Sequence, residues 1–210
     1  MMEAVWTRFL PGIGKLRELL DEGVIGEVVS VRADFSIDGT KFDTEHRLRN
    51  KALAGGAFLD LGIYPITFAS IVFGEQPERI QSSVVTGTTG VDDRSYCLFD
   101  YEGGRRAVLS SSFTHLAPIE GLVCGTKGYI RMPLFLAGQE LQIHRAGEEP
   151  ETIQMPYGDN ENFTFEIAEA TECITAGKLE SDILPLSETL AVMKTMDTLR
   201  AQWGLTYEGE

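Results

Sequence analysis

Asp60 and Tyr64 stand out for their setting: both lie in the stretch Ala54 to Gly74, which is otherwise apolar on nearly every side. A separation of four residues stacks them on one face of a helix. Desolvating an unpaired carboxylate costs several kcal/mol, so a buried helix carrying both groups must pair them or use them. Used together, they suit proton exchange with a substrate oxygen. A phenol with an unperturbed pKa near ~10 takes a proton only where a nearby cation favours the phenolate. The structural alternative is a buried phenol bonded to Asp60, holding the helix in place. Pro65 follows directly and removes a backbone hydrogen bond, at about 3 kcal/mol unless the helix bends or begins nearby. A kink beside Tyr64 is expected, with the phenol facing a cleft.

The neighbouring elements must hold this helix in place. Residues 12–22 read as a helix with Ile13, Leu16, Leu19 and Leu20 on one face and Gly23 as its stop. Gly12-Ile-Gly14 imitates the start of a dinucleotide fingerprint, but the third glycine would fall at Arg17 and no βαβ unit precedes it. Residues 27–37 alternate strictly, with Val29, Val31, Ala33, Phe35 and Ile37 on one face, as a half-buried strand does. Residues 38–53 form a charged connection holding His46, Arg47 and Arg49; an arginine there can bind a substrate hydroxyl or carboxylate, or the run is simply solvated. His46 reads as surface.

Beyond the central helix the period changes. Runs at 79–86, 95–101, 105–114, 121–125, 129–132, 141–146 and 151–155 are short, β-branched or aromatic, and punctuated by Gly, Pro and Asp. Residues 100–105 and 125–128 read as hairpin turns, the latter lacking the spacing of a phosphate loop. Two helices close the chain, one capped by Asn160 with Phe163, Ile167, Ala170, Cys173 and Ile174 inward, the other capped by Ser187 with Leu190, Met193 and Met196 inward. His115 and His144 have no second metal-type residue at ligand spacing. The fold expected is α+β: an open, largely antiparallel (mixed) sheet with helices packed on one face.

At 210 residues and 43% hydrophobic content the chain can bury one sizeable core, so a single domain spanning 1–210 is expected. A net charge of -14 and the lack of any Lys/Arg cluster argue against a nucleic-acid partner. Cys97, Cys124 and Cys173 are widely spaced and read as thiols of a reducing compartment, which points to the cytoplasm. No apolar run outside the central helix approaches membrane length, and that helix carries Asp60, Tyr64, Pro65 and several glycines, so no membrane is expected.

The run Gly55-Gly-Ala-Phe-Leu-Asp-Leu-Gly-Ile-Tyr-Pro65 resembles the Gly-Gly…Asp-x-Gly-x-(His/Tyr) signature of the Gfo/Idh/MocA oxidoreductases, and its Tyr version resembles their dihydrodiol and D-xylose dehydrogenase branch. Glu3-Ala-Val-Trp-Thr-Arg-Phe-Leu-Pro11 is similar to the segment leaving that branch's nucleotide-binding domain. Residues 125–133 and 204–208 are similar to its late hairpin and its ending. The resemblance implies an NAD(P)-dependent dehydrogenase of a sugar or dihydrodiol, with Tyr64 as acid/base, Asp60 orienting substrate or that acid, and Arg47, Trp6 and Arg8 binding substrate. It implies a C-terminal domain whose helical side faces a Rossmann domain and whose open sheet face makes a homodimer.

The family's Glu-Lys-Pro segment and glycine-rich phosphate loop are missing from the sequence. NAD or NADP is therefore expected only in the complete protein, with no cofactor-binding residue and no metal in this chain, which alone is expected to be inactive. The alternative is a stand-alone, non-catalytic sugar-binding or dimerisation module.

Overall fold

The computed structural model describes residues 1–158 and 161–209. A short turn at Trp6–Phe9 leads into α1 (Pro11–Asp21), where proline takes the first helical position and its missing N–H leaves nothing unpaired. Gly23, at φ 68°, ends this helix, and the N–H of Val24 bonds back to the Leu19 carbonyl. Gly12 also has a packing reason: a Cβ there would stand 1.8 Å from the Gly138 carbonyl oxygen. The glycine of the apparent fingerprint serves close backbone approach.

Eight strands follow: β1 (Val28–Ser36), β2 (Arg79–Thr86), β3 (Asp92–Asp100), β4 (Arg106–Ser112), β5 (Glu120–Gly125), β6 (Gly128–Pro133), β7 (Glu140–Arg145) and β8 (Glu151–Gln154). They form one open sheet in the order β2-β3-β4-β1-β5-β6-β7-β8. Every neighbouring pair is antiparallel except β1 with β4, where Val31 sits opposite Ala107 in parallel register. The mixed α+β sheet expected from the sequence is the one observed.

The alternation along β1 shifts near its start, and at its end Ser36, expected on the polar face, is buried. A register shift between Val28 and Ser30 turns Val29 to solvent, while Val28 joins Val31 and Ala33 against the core.

The central helical stretch opens with a wide π turn, Phe58–Gly62, and continues as α2 (Ile63–Phe73), closed by Gly74 at φ 69°. Pro65 thus falls in the first turn of α2, directly after the π turn, so the expected irregularity is a widened turn before Tyr64. Lys51–Phe73 is long and apolar enough to span a bilayer by length and composition, but most of it is buried here as the core helix. Phe68 packs on Phe135 and sits over Gly121 of β5, where a side chain would meet its ring. Burying such a ring contributes about 1.5–3 kcal/mol.

α3 (Asn162–Thr175) and α4 (Leu186–Trp203) differ from expectation in which face is covered. In α3 only Cys173 is buried, and Phe163, Ile167 and Ile174 form an exposed apolar stripe. In α4 the buried residues are Thr189, Val192, Thr195, Met196 and Leu199, and Leu190 points outward. Pro185, not Ser187, takes the N-cap position of α4, and Asn160, the cap expected for α3, lies outside the described residues. On the uncovered face of the sheet, Tyr96, Val108 and Tyr129 are exposed.

Candidate active site

Tyr64 is half-buried at the start of α2, between Phe35 of β1 and the indole of Trp6. Trp6 Nε1 donates to the phenolic oxygen at 2.9 Å. Among the described residues the Tyr64 O–H has no acceptor, so its proton is free for a ligand oxygen. Burial pushes the phenol pKa up, the Trp6 N–H pulls it down, and the negative charges of Asp60, Glu166 and Glu3 raise it further. The resting group is therefore a neutral phenol that donates; it accepts a proton only after a cation arrives to offset those carboxylates.

Asp60 does not bond Tyr64, so the structural alternative of a phenol tied to that carboxylate is not what the fold adopts. The π turn separates the two, and Asp60 Oδ1 instead accepts from Arg47 Nη1 at 2.7 Å. Arg47 is mostly exposed, so the pair forms the polar rim of the site and its net electrostatic worth is small. Its use is geometric: it ties the charged connection to the helix.

That connection is mostly exposed and bonded to itself. Asp38 accepts from Thr40, Asp43 accepts from the N–H groups of Glu45 and His46, and the His46 ring stacks on Phe42 with centroids 4.0 Å apart.

Arg8 lies apart from this group. Its Nη2 donates to Glu188 Oε2 at 2.5 Å and its Nε to the Ile183 carbonyl at 2.9 Å, fixing the first residues to the start of α4. Burial lowers its pKa, with Glu188 opposing. Glu188 also accepts from Ser70 at 3.0 Å, and Ser70 connects through Gln76 to Thr195. The structure thus brings Trp6 to Tyr64 and Arg47 to Asp60, and places Arg8 in a buried network beneath them.

Further residues border the site without having been singled out in the sequence. Phe163 packs on Trp6 with centroids 5.2 Å apart, and Glu166 has a buried oxygen with no partner among the described residues. Helical periodicity placed Phe163 on an apolar face, but only the fold shows that this face meets Trp6. No group of His, Cys, Asp and Glu suited to a metal ion is found among the described residues.

Residues 13–131 match the model of the GFO/IDH/MocA C-terminal domain. The chain is similar to trans-1,2-dihydrobenzene-1,2-diol dehydrogenase of Xenopus laevis, at 34% identity over 99% of this chain and 64% of that protein. It is similar to the human enzyme of the same name at 34%, over 99% of this chain and 63% of that protein. It thus spans about 64% of the length of such relatives. Among solved structures it resembles the aldose-aldose oxidoreductase of Caulobacter crescentus, with a TM-score of 0.79 at 22% identity over 98% of this chain and 61% of that one. It also resembles a 3-ketoreductase of Actinomadura kijaniata, with a TM-score of 0.81 at 24% identity over 96% and 62%. With the family's signature folded into the turn that separates Asp60 from Tyr64, and its C-terminal domain model matched over more than half the length, the chain belongs to the GFO/IDH/MocA family.

Proposed function

We propose that this chain is the substrate-binding and oligomerisation domain of an NAD(P)-dependent oxidoreductase acting on the CH–OH group of a sugar or dihydrodiol. The observation that carries the reading is the Trp6–Tyr64 hydrogen bond, which fixes the phenol while leaving its proton uncommitted. Oxidising a carbinol removes a hydride and a proton, and Tyr64 exchanges the proton with the substrate oxygen. Trp6, Phe35 and Phe163 supply an aromatic wall that suits a ring, and the Arg47–Asp60 pair offers both a donor and an acceptor to hydroxyls at the rim.

The nicotinamide would take the hydride, but the described residues do not fit it. Among the described residues no strand passes through a tight glycine-rich turn into a helix to hold a pyrophosphate, and Gly12 is committed against Gly138. A structure similar in fold is described as a complex with NADP and another with NADH. We assign the dinucleotide to a Rossmann domain in the part of the relatives that this chain does not span, docked beside Trp6 on the exposed stripe of Phe163, Ile167 and Ile174. Alone, the chain is then inactive. The uncovered sheet face, with Tyr96, Val108 and Tyr129, suits a second copy, and three free thiols suit a cytoplasmic setting.

The test is a fluorescence titration of the purified chain. A dihydrodiol or D-xylose is expected to change Trp6 emission saturably, and the change is expected to vanish in Tyr64→Phe, while NAD+ and NADP+ at near-millimolar concentration leave the chain unliganded. Saturable dinucleotide binding would overturn the reading, as would indifference to both substrate classes.

A further inference from the structure

Asp92 opens β3 and is fully buried, yet it takes no part in the proton exchange proposed for Tyr64. Its Oδ2 accepts the backbone N–H of Phe58 at 2.7 Å, and the carboxylate also draws on the N–H of Ala57. These are leading donors of the helical stretch that carries Asp60 and Tyr64, where N–H groups have no partner within the helix. The other oxygen, Oδ1, has no hydrogen-bond partner among the described residues. It fills the place a side chain on Gly56 would take, since a Cβ there would stand 2.3 Å away. Gly56 adopts φ 129°, a region open to glycine, and the Tyr207 hydroxyl fixes the preceding Gly55 carbonyl at 2.7 Å. Gly56 is thus shaped around this carboxylate, while Gly55 makes room for the Arg47 and Asn50 carbonyls.

A neutral cap would satisfy the same donors at lower cost, because a buried carboxylate with an unpartnered oxygen is expensive. What the charge adds is strength: charge-assisted bonds are roughly twice as strong as neutral ones, and a negative group suits a helix N-terminus. The element being held is a π turn, a departure from α pitch, so the angle between Asp60 and Tyr64 depends on where that turn is anchored.

We propose that Asp92 is a positioning residue for the site, its buried carboxylate pinning the π turn at Ala57 and Phe58 so that the Tyr64 hydroxyl meets Trp6. This rests on reading Tyr64 as the proton-exchanging group. Burial pushes the Asp92 carboxyl up to about 6, with the Phe58 and Ala57 N–H groups opposing and Asp93 adding to the rise. The other titratable or charged groups facing it are Cys97 on β3, pushed by burial up to about 12 and so neutral, and Tyr207 beneath the Arg200 guanidinium. Protonating Asp92 weakens the anchor and lets Tyr64 shift against Trp6.

The experiment follows the indole N–H signal of Trp6 by two-dimensional NMR on the unliganded chain between pH 4 and 8, assigned through Trp6→Phe. The signal is expected to move with an inflection near pH 6, to lose that inflection in Asp92→Asn, and to keep it in Asp93→Asn. An inflection that survives in Asp92→Asn, or a Trp6 signal flat with pH while thermal stability still titrates, would overturn the proposal and leave Asp92 a purely structural cap. If Asp92→Asn does not fold, Gly56→Ala takes its place, and an unmoved Trp6 signal at pH 7 overturns the proposal. Because no substrate is present, failure here is separable from failure of the ligand titration, which concerns Tyr64 itself.

Discussion

Glu188→Leu is expected to destabilise the fold by about 3 kcal/mol, the low end of the roughly 3–5 kcal/mol range for breaking a buried ion pair. The Arg8 side chain is 8% exposed and that of Glu188 21%, so water reaches the pair only from the carboxylate side, and that access sets the lower figure. Without Glu188, the guanidinium keeps only the Ile183 carbonyl, its Nη1 already lacks a partner among the described residues, and Ser70 loses its acceptor. Such a loss is a large share of the about 5–15 kcal/mol typical of a domain. Arg8→Met with Glu188→Leu removes both charges and is expected to lie within about 1 kcal/mol of the parent, because a well-packed apolar pair replaces a buried ionic one at little cost. Urea unfolding at pH 7 of the parent, both single variants and the double variant closes the cycle. If Glu188→Leu costs under about 1 kcal/mol, or the two single effects simply add, the pair is not a buried structural tie. Arg8 would then again be a candidate for substrate.

Asp92 gives the fold a pH dependence of opposite sign to the usual acid denaturation. Its folded pKa, near 6 against an ordinary 3.8, means that the folded state holds the proton more tightly, so its stabilising contribution is present below about pH 4 and lost as pH rises through about 6. The difference amounts to about 3 kcal/mol, and urea unfolding should show the parent losing that much stability relative to Asp92→Asn between pH 4 and 7.5; parallel profiles would refute it. Gly121→Ala would put a methyl 2.6 Å from the Phe68 ring and is expected to cost about 1–3 kcal/mol, so an unchanged melting temperature would show that Phe68 is not seated as described.

The sheet was legible because its runs are short, alternating and separated by turn residues, and the hairpins at 100–105 and 125–128 need only local chemistry. The central stretch was legible as a buried helix because its apolar character is continuous. Its internal geometry was not: residues four apart share a face in an α-helix, and nothing in Phe58–Gly62 announces the wider turn that sends Asp60 to Arg47 and leaves Tyr64 with Trp6. Periodicity found the apolar stripe of α3 but could not say whether anything covers it, because that depends on neighbours and not on spacing. Asp92 hid in Val-Asp-Asp-Arg, which reads as a charged turn; that the first carboxylate faces inward follows from Gly56, which it meets far away in sequence.

The order of the strands carries a consequence for how the molecule assembles. On one side of β1, β2 to β4 join through consecutive antiparallel pairings; on the other, β5 to β8 do the same. Each meander closes short loops, whereas β1 must find β4 and β5 far along the chain, and its antiparallel pairing with β5, which sets Val28 opposite Gly125, is the least local contact of the sheet. The sheet is therefore two locally folding ribbons with a keystone, and β1 also bears Phe35, which walls Tyr64. The aromatic wall of the site is complete only once the slowest seam has closed, so a chain arrested before that point would hold most of its strands and none of its chemistry.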